Sequence, residues 1–182
     1  MKKQTALRKK RERLKAERAG RYRAFESGTS KAQIRSHLCA SIDPELAEHA
    51  RLWAIEWEHP NDPVSVETES LDEKSWLQFA EDLLTATNET LFVVLVGGDI
   101  PVAGAICSKE ATIDILEEVL SRETGVFVLY LSSPGGFDLY VSDKEHSQHG
   151  IFSVSAWGAG KVILSGKIEQ NNEIWSIVEN DV

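Results

Sequence analysis

The sequence predicts an α+β protein: a mostly antiparallel sheet built from two ββα units and a C-terminal β-meander, helices on one face, and a basic N-terminal helical arm. Three observations predict it. Two helix-period apolar faces, at 76–84 and 112–120, each follow a pair of strand-like runs. After Gly125, short apolar runs recur between Gly, Pro and Asn turns, too closely spaced for crossover helices, so those strands should pair antiparallel. Charge is also divided sharply: residues 1–23 hold eleven Lys/Arg against Glu12 and Glu17, a net +9, while the rest of the chain carries nine bases and 27 acids, a net −18. At 182 residues the chain is long enough for one well-buried core, giving an arm and hinge at 1–28 and a single α+β domain at 29–182.

Residues 3–24 are rich in helix formers, with Glu17 and Arg21 a favourable i,i+4 pair, but Leu7, Leu14, Tyr22 and Phe25 make only a broken apolar stripe. Glu26-Ser27-Gly28-Thr29-Ser30 reads as a hinge, with Ser30 the cap of a short helix carrying Ile34 and Leu38. Asp43-Pro44 pairs a cap with a first-turn proline and starts another helix. Strand-like alternation then appears at 52–58 and 64–69 around the turn His59–Pro63, which predicts a hairpin.

Ser70 and Glu73 offer a capping box for a helix whose face is Trp76, Phe79, Ala80, Leu83 and Leu84. Leu91–Val96 and Pro101–Cys107 form a second hairpin across Gly97-Gly98-Asp99. Ser108 caps the following helix, with Thr112, Ile115, Leu116, Val119 and Leu120 as its face and Gly125 beyond its end. A shift of 36 residues superposes the two helix faces, a likeness that convergence on a common pattern explains. Val126–Leu131, Phe137–Ser142, Ile151–Ala156, Lys161–Ile168 and Glu173–Val178 complete the predicted strands.

Sites of chemistry are scarce. The sequence holds no Walker A motif, dinucleotide-binding glycine motif, nucleophile elbow or HExxH. Gly97-Gly98 and Pro134-Gly135-Gly136 read as hairpin turns, neither running into a helix N-terminus. Asp143, His146 and His149 have ligand chemistry at every third position, but on a long polar loop whose expected state is solvated. The helical pairs Glu81-Asp82 and Glu117-Glu118 lie opposite apolar faces and should be solvated too. No enzyme is supported, and neither a cofactor nor a metal is expected. Cys39 and Cys107, far apart in the chain, read as small buried hydrophobes in a reducing compartment. With no apolar run of membrane-spanning length and no signal-like segment, a cytoplasmic protein with no membrane partner is expected.

Charge therefore carries the functional expectation. Alternation on the 52–69 hairpin collects Glu56, Glu58, Glu67 and Glu69 on the face opposite Trp53, Ile55, Trp57, Val64 and Val66, a docking surface for a cationic protein. A small, acidic α+β chain without catalytic motifs has the general character of an immunity protein that neutralises a bacterial toxin, a likeness of type without a family signature. The alternative uses the arm: Arg8, Lys9, Lys10, Arg11, Arg13, Arg18 and Arg21 would bind nucleic-acid phosphates, as in a nucleic-acid- or ribosome-associated protein.

Overall fold

A computed structural model describes residues 2–28, 38, 45–49, 63–97, 103–119, 125–142, 150–170 and 173–177. In chain order the elements are α1 (Lys2–Gly28), β1 (Val64–Thr68), α2 (Glu73–Thr85), β2 (Leu91–Val96), β3 (Ala103–Ser108), α3 (Lys109–Val119), β4 (Val126–Tyr130), β5 (Gly135–Ser142), β6 (Ile151–Gly158), α4 (Ala159–Gln170) and β7 (Ser176–Ile177). All strands pair antiparallel in one seven-stranded sheet of order β3-β2-β4-β5-β6-β1-β7.

Strand composition follows position in the sheet. β2 and β4 are continuous apolar runs because both of their faces are covered. Phe92, Val94, Val96, Val126, Val128 and Tyr130 face the main core with Phe137, Leu139, Phe152 and Val154. Helices α2, α3 and α4 supply its other half through Trp76, Phe79, Leu83, Ile115, Leu116 and Leu164. On the opposite face Val93, Leu95, Phe127, Leu129 and Trp157 form a smaller cluster capped by Leu46, from a helical turn at 45–49 that begins just after Asp43-Pro44. The helices of the main layer are on one face as expected, and the turn bearing Leu46 lies on the other. Towards β1 this second face becomes polar, carrying Asp138, Tyr140, Ser153, Ser155, Ser65 and Glu67, with the Ser65 and Ser155 hydroxyls hydrogen-bonded at 2.8 Å.

The β2–β3–α3 unit and the β4–β5–β6 meander match the sequence expectation. Ser108 caps α3, its Oγ accepting from the Ala111 amide at 3.3 Å. For α2 the cap is Asp72 rather than Ser70: its carboxylate accepts from the Ser75 amide at 2.7 Å, which starts the helix at Glu73. The expected strand 52–58 lies outside the described residues. Both flanks of β1 at Val66 and Glu67 are taken, by β6 and by β7, so no hairpin mate pairs with it there.

The main correction is at 161–168, which is helical within α4 and not a strand. Val162, Leu164 and Ile168 fit an alternating pattern, but Gly160, Leu164 and Ile168 also recur every four residues, and the helix packs by that row. Val162 is then left 79% exposed. Gly158, at φ +54°, makes the turn from β6 into α4 that only a residue without a Cβ adopts readily. Within the expected strand at 173–178 the described residues are strand at Ser176–Ile177, while Glu173 and Ile174 form a turn; Trp175 anchors the segment, its ring centroid 4.6 Å from that of Phe79.

Candidate functional site

Burying the apolar faces of α2 and α3 determines what their outer surface presents. With Trp76, Phe79, Ala80, Leu83 and Leu84 turned to the sheet, α2 leaves Glu73, Lys74, Gln78 and Glu81 at its outer side and flanks. With Thr112, Ile115, Leu116 and Val119 turned inward, α3 leaves Glu110, Asp114, Glu117 and Glu118. The two helices pack on each other, so their carboxylates share one surface. Asp82 is tied at its edge, accepting from Gln78 Nε2 at 3.2 Å and lying 4.0 Å from Lys167 Nζ. Lys109 donates to Thr85 Oγ1 at 3.2 Å, bridging α3 to the end of α2. The Glu110 carboxyl is held below the usual carboxylate range by its own backbone amide in the first turn of α3, then by Ser108, and by Lys109 nearby. Between residues 38 and 177 the described residues include sixteen carboxylate side chains and four cations, Lys74, Lys109, Lys161 and Lys167, a net −12.

The four glutamates expected on the hairpin are only partly described. Glu56 and Glu58 lie outside the described residues. Glu67 is exposed on the polar half of the sheet's second face, and Glu69 is exposed in the bend after β1. Across the strands Glu67 meets Ser153 and Ser176 rather than other carboxylates, so like-charge crowding is relieved at that position. Glu67 does not belong to the acidic surface of α2 and α3, because it points to the side of the sheet away from the helices.

The cations of the arm are on α1, a single helix of 27 residues. Arg8, Lys9, Lys10, Arg11, Arg13 and Arg21 are all exposed, as are Lys15 and Arg23. Two are held by neighbours on the same helix: Arg8 Nε lies 2.9 Å from Glu12 and Arg21 3.7 Å from Glu17. Among the described residues no strand or helix of the body packs along α1.

Two features invite an enzymatic reading. A cleft of about 100 Å³ is lined by His49, Leu129, Leu131, Ser132, Ser133, Pro134 and Gly135, among others. His49 Nδ1 lies 3.0 Å from the Glu45 carbonyl, which only accepts, so Nδ1 carries the proton and Nε2 is the basic nitrogen. Ser132 gives both of its donors, amide and hydroxyl, to the Glu89 carboxylate instead of to His49. That arrangement pins the loop after β4 to the connection between α2 and β2; it is not a serine–histidine pair. The second feature is glycine. Pro134-Gly135-Gly136 runs into β5, as expected, but Gly158-Ala159-Gly160 leads straight into α4, and Pro134-Gly135-Gly136 lies against that N-terminus. Backbone fills the space: a Cβ on Gly158 would sit 2.3 Å from the Pro134 carbonyl oxygen. The glycines there serve close packing of β5 on α4.

Among the described residues no cluster of three or more His, Cys, Asp or Glu is arranged for a metal, and no helix is long and apolar enough to cross a membrane. Asp143, His146 and His149 lie outside the described residues. Cys107 is buried, as the sequence suggested, and Cys39 lies outside the described residues. Searches of protein-family models, curated proteins and solved structures find no match to this chain.

The acidic helical surface was visible in the sequence as carboxylates opposite two apolar faces. What the sequence could not supply was their adjacency, because α2 and α3 meet only once β2 and β3 have paired.

Proposed function

We propose that the protein is a non-enzymatic binding protein whose acidic body captures a cationic protein, in the manner of an immunity protein that neutralises a basic toxin. The observation that carries this reading is the paired outer surface of α2 and α3, where Glu73, Glu81, Glu110, Asp114, Glu117 and Glu118 stand against Lys74 and Lys109, the cations within these two helices. The helices fix the backbone that carries these carboxylates, so docking orders side chains but no loop. Mutual repulsion raises the potential of the empty surface, and a positive patch relieves it on docking. Glu67 extends the acidic character to the far side of the sheet, and Glu69 to the bend after β1, as a weaker, secondary contact.

The test is affinity capture from the native host on the immobilised full chain, with stepwise salt elution. A basic protein that elutes with salt, and that a Glu81→Lys/Asp114→Lys chain fails to retain, is the expected result. Retention of nucleic acid alone, or of the same protein equally by both chains, would remove the acidic surface from the function.

A further inference from the structure

We propose that α1 is a second and independent binding element, one that lies in the major groove of duplex DNA and neutralises phosphates on both sides of it. The feature that points there is the distribution of its cations around the helix. At roughly 100° per residue, Arg8, Arg11 and Lys15 form one row, Lys9 and Arg13 a second, and Lys10 and Arg21 a third, each about a third of a turn from the next. A strap lying on a protein surface would present one apolar or charged stripe to it and leave the other side to solvent. Every α1 cation whose side chain is described is exposed, and these cations are spread around most of the helix, with Leu7, Leu14 and Phe25 falling between the third row and the first.

Such a cylinder fits a channel with negative charge along both walls. The major groove of B-form DNA is about 12 Å wide and admits a helix some 10–12 Å across, with a phosphate backbone on either flank. The deep, narrow major groove of A-form RNA excludes it. Single strands are usually held by stacking on aromatic side chains, and residues 1–28 contain only Tyr22 and Phe25. The acidic body is repelled by the same phosphates, so the helix enters the groove while the body stays clear of the duplex. Recognition should be of the backbone and not of base sequence.

Six of the exposed cations, Lys9, Lys10, Arg11, Arg13, Lys15 and Arg23, make no ion pair among the described residues and are available to phosphates. Six contacts give a slope of log K against log salt of about −5, or roughly a thousandfold loss of affinity between 50 and 200 mM salt.

The test is fluorescence anisotropy of the full chain with a duplex DNA of about 20 base pairs, the matching RNA duplex and the matching single strand, each across that salt range. Expected are tightest binding to duplex DNA, a slope of about −5, and about half that slope for Arg11→Gln/Arg13→Gln/Lys15→Gln, since glutamine preserves helix propensity while removing three charges. Equal binding to the RNA duplex or the single strand, an unchanged slope in the triple variant, or no binding would each overturn the proposal. So would salt-reversible self-association without DNA binding, which would place the arm on the acidic body of a second copy. This element stands apart from the acidic surface proposed above: the triple variant should retain the cationic protein as the wild type does, so either reading can fail alone.

Discussion

Gly160 approaches Gly136 so closely that a Cβ on Gly160 would lie 2.4 Å from the Gly136 carbonyl oxygen. The neighbouring Gly136 is equally constrained, for its own Cβ would fall 2.2 Å from the Val128 carbonyl oxygen in β4. Backbone cannot swing aside as a side chain can. Gly160→Ala is therefore expected to displace α4 and to lower stability by about 1–3 kcal/mol, the usual cost of overpacking. Denaturant titration of wild type and variant measures it. Gly166, with nothing within 4 Å of an added Cβ, is the matched control, and Gly166→Ala should be neutral or mildly stabilising.

The short tail after α4 belongs to the core. Trp175 is 7% exposed and packs on Phe79, which itself stacks against Trp76 at 6.1 Å, and Trp76 meets Phe152 at 5.4 Å. Trp175→Ala should cost about 3–5 kcal/mol and Leu83→Ala about 2–5 kcal/mol, read from chemical denaturation midpoints. The Trp175 indole N–H is buried with no acceptor among the described residues, so Trp175→Phe, which removes that donor and keeps a ring, should cost well under half as much as the alanine variant.

Removal of residues 1–28 should leave the body folded. Among the described residues α1 makes no extended packing against the strands and helices of the sheet, and exposed ion pairs such as Arg8–Glu12 contribute little. A shift of the thermal midpoint by no more than a few degrees at moderate salt is expected by differential scanning calorimetry. Insolubility or a large drop would show that the arm is a core element.

Tyr130 gives the body a defined alkaline limit. Burial, and secondarily the charge of Glu89, raise its phenol above the ordinary tyrosine range. The folded state keeps this proton where the unfolded chain would release it. The stabilising contribution is therefore complete below the unfolded-state value of about 10 and is lost as pH rises through the higher folded-state value. Phenolate absorbance should show one of the three tyrosines ionising only as the chain unfolds, and Tyr130→Phe should shift alkaline unfolding to higher pH. Ionisation of Tyr130 at an ordinary pH in the folded protein would contradict the burial of its hydroxyl.

Much of this architecture was legible in the sequence where one period dominated. The faces of α2 and α3 and the apolar runs of β2 and β4 were unambiguous, because their burial demands only one reading of each segment. Segment 161–168 was misread because Val162, Leu164 and Ile168 satisfy two periods at once; contact of Gly160 and Leu164 with the sheet selects the helix. The pairing of β1 with β6, 90 residues apart at Ser65 and Ser155, leaves no local trace, so the neighbours of Glu67 could not be foreseen. Charge was legible as a total, while the meeting of α2 and α3 carboxylates on one surface came only from tertiary structure.

The capture of a cationic protein by the α2–α3 surface is tested most directly by association kinetics. Stopped-flow or surface-based rates would be measured for the captured basic partner with wild type and with Glu81→Lys/Asp114→Lys, at low and at near-physiological ionic strength. Long-range attraction acts on encounter, so the double variant should associate at least about tenfold more slowly at low salt and lose most of its salt dependence, with a smaller change in dissociation. Glu67→Lys/Glu69→Lys should produce a clearly weaker effect. Equal association rates for wild type and the α2–α3 variant at both ionic strengths would contradict the proposed function.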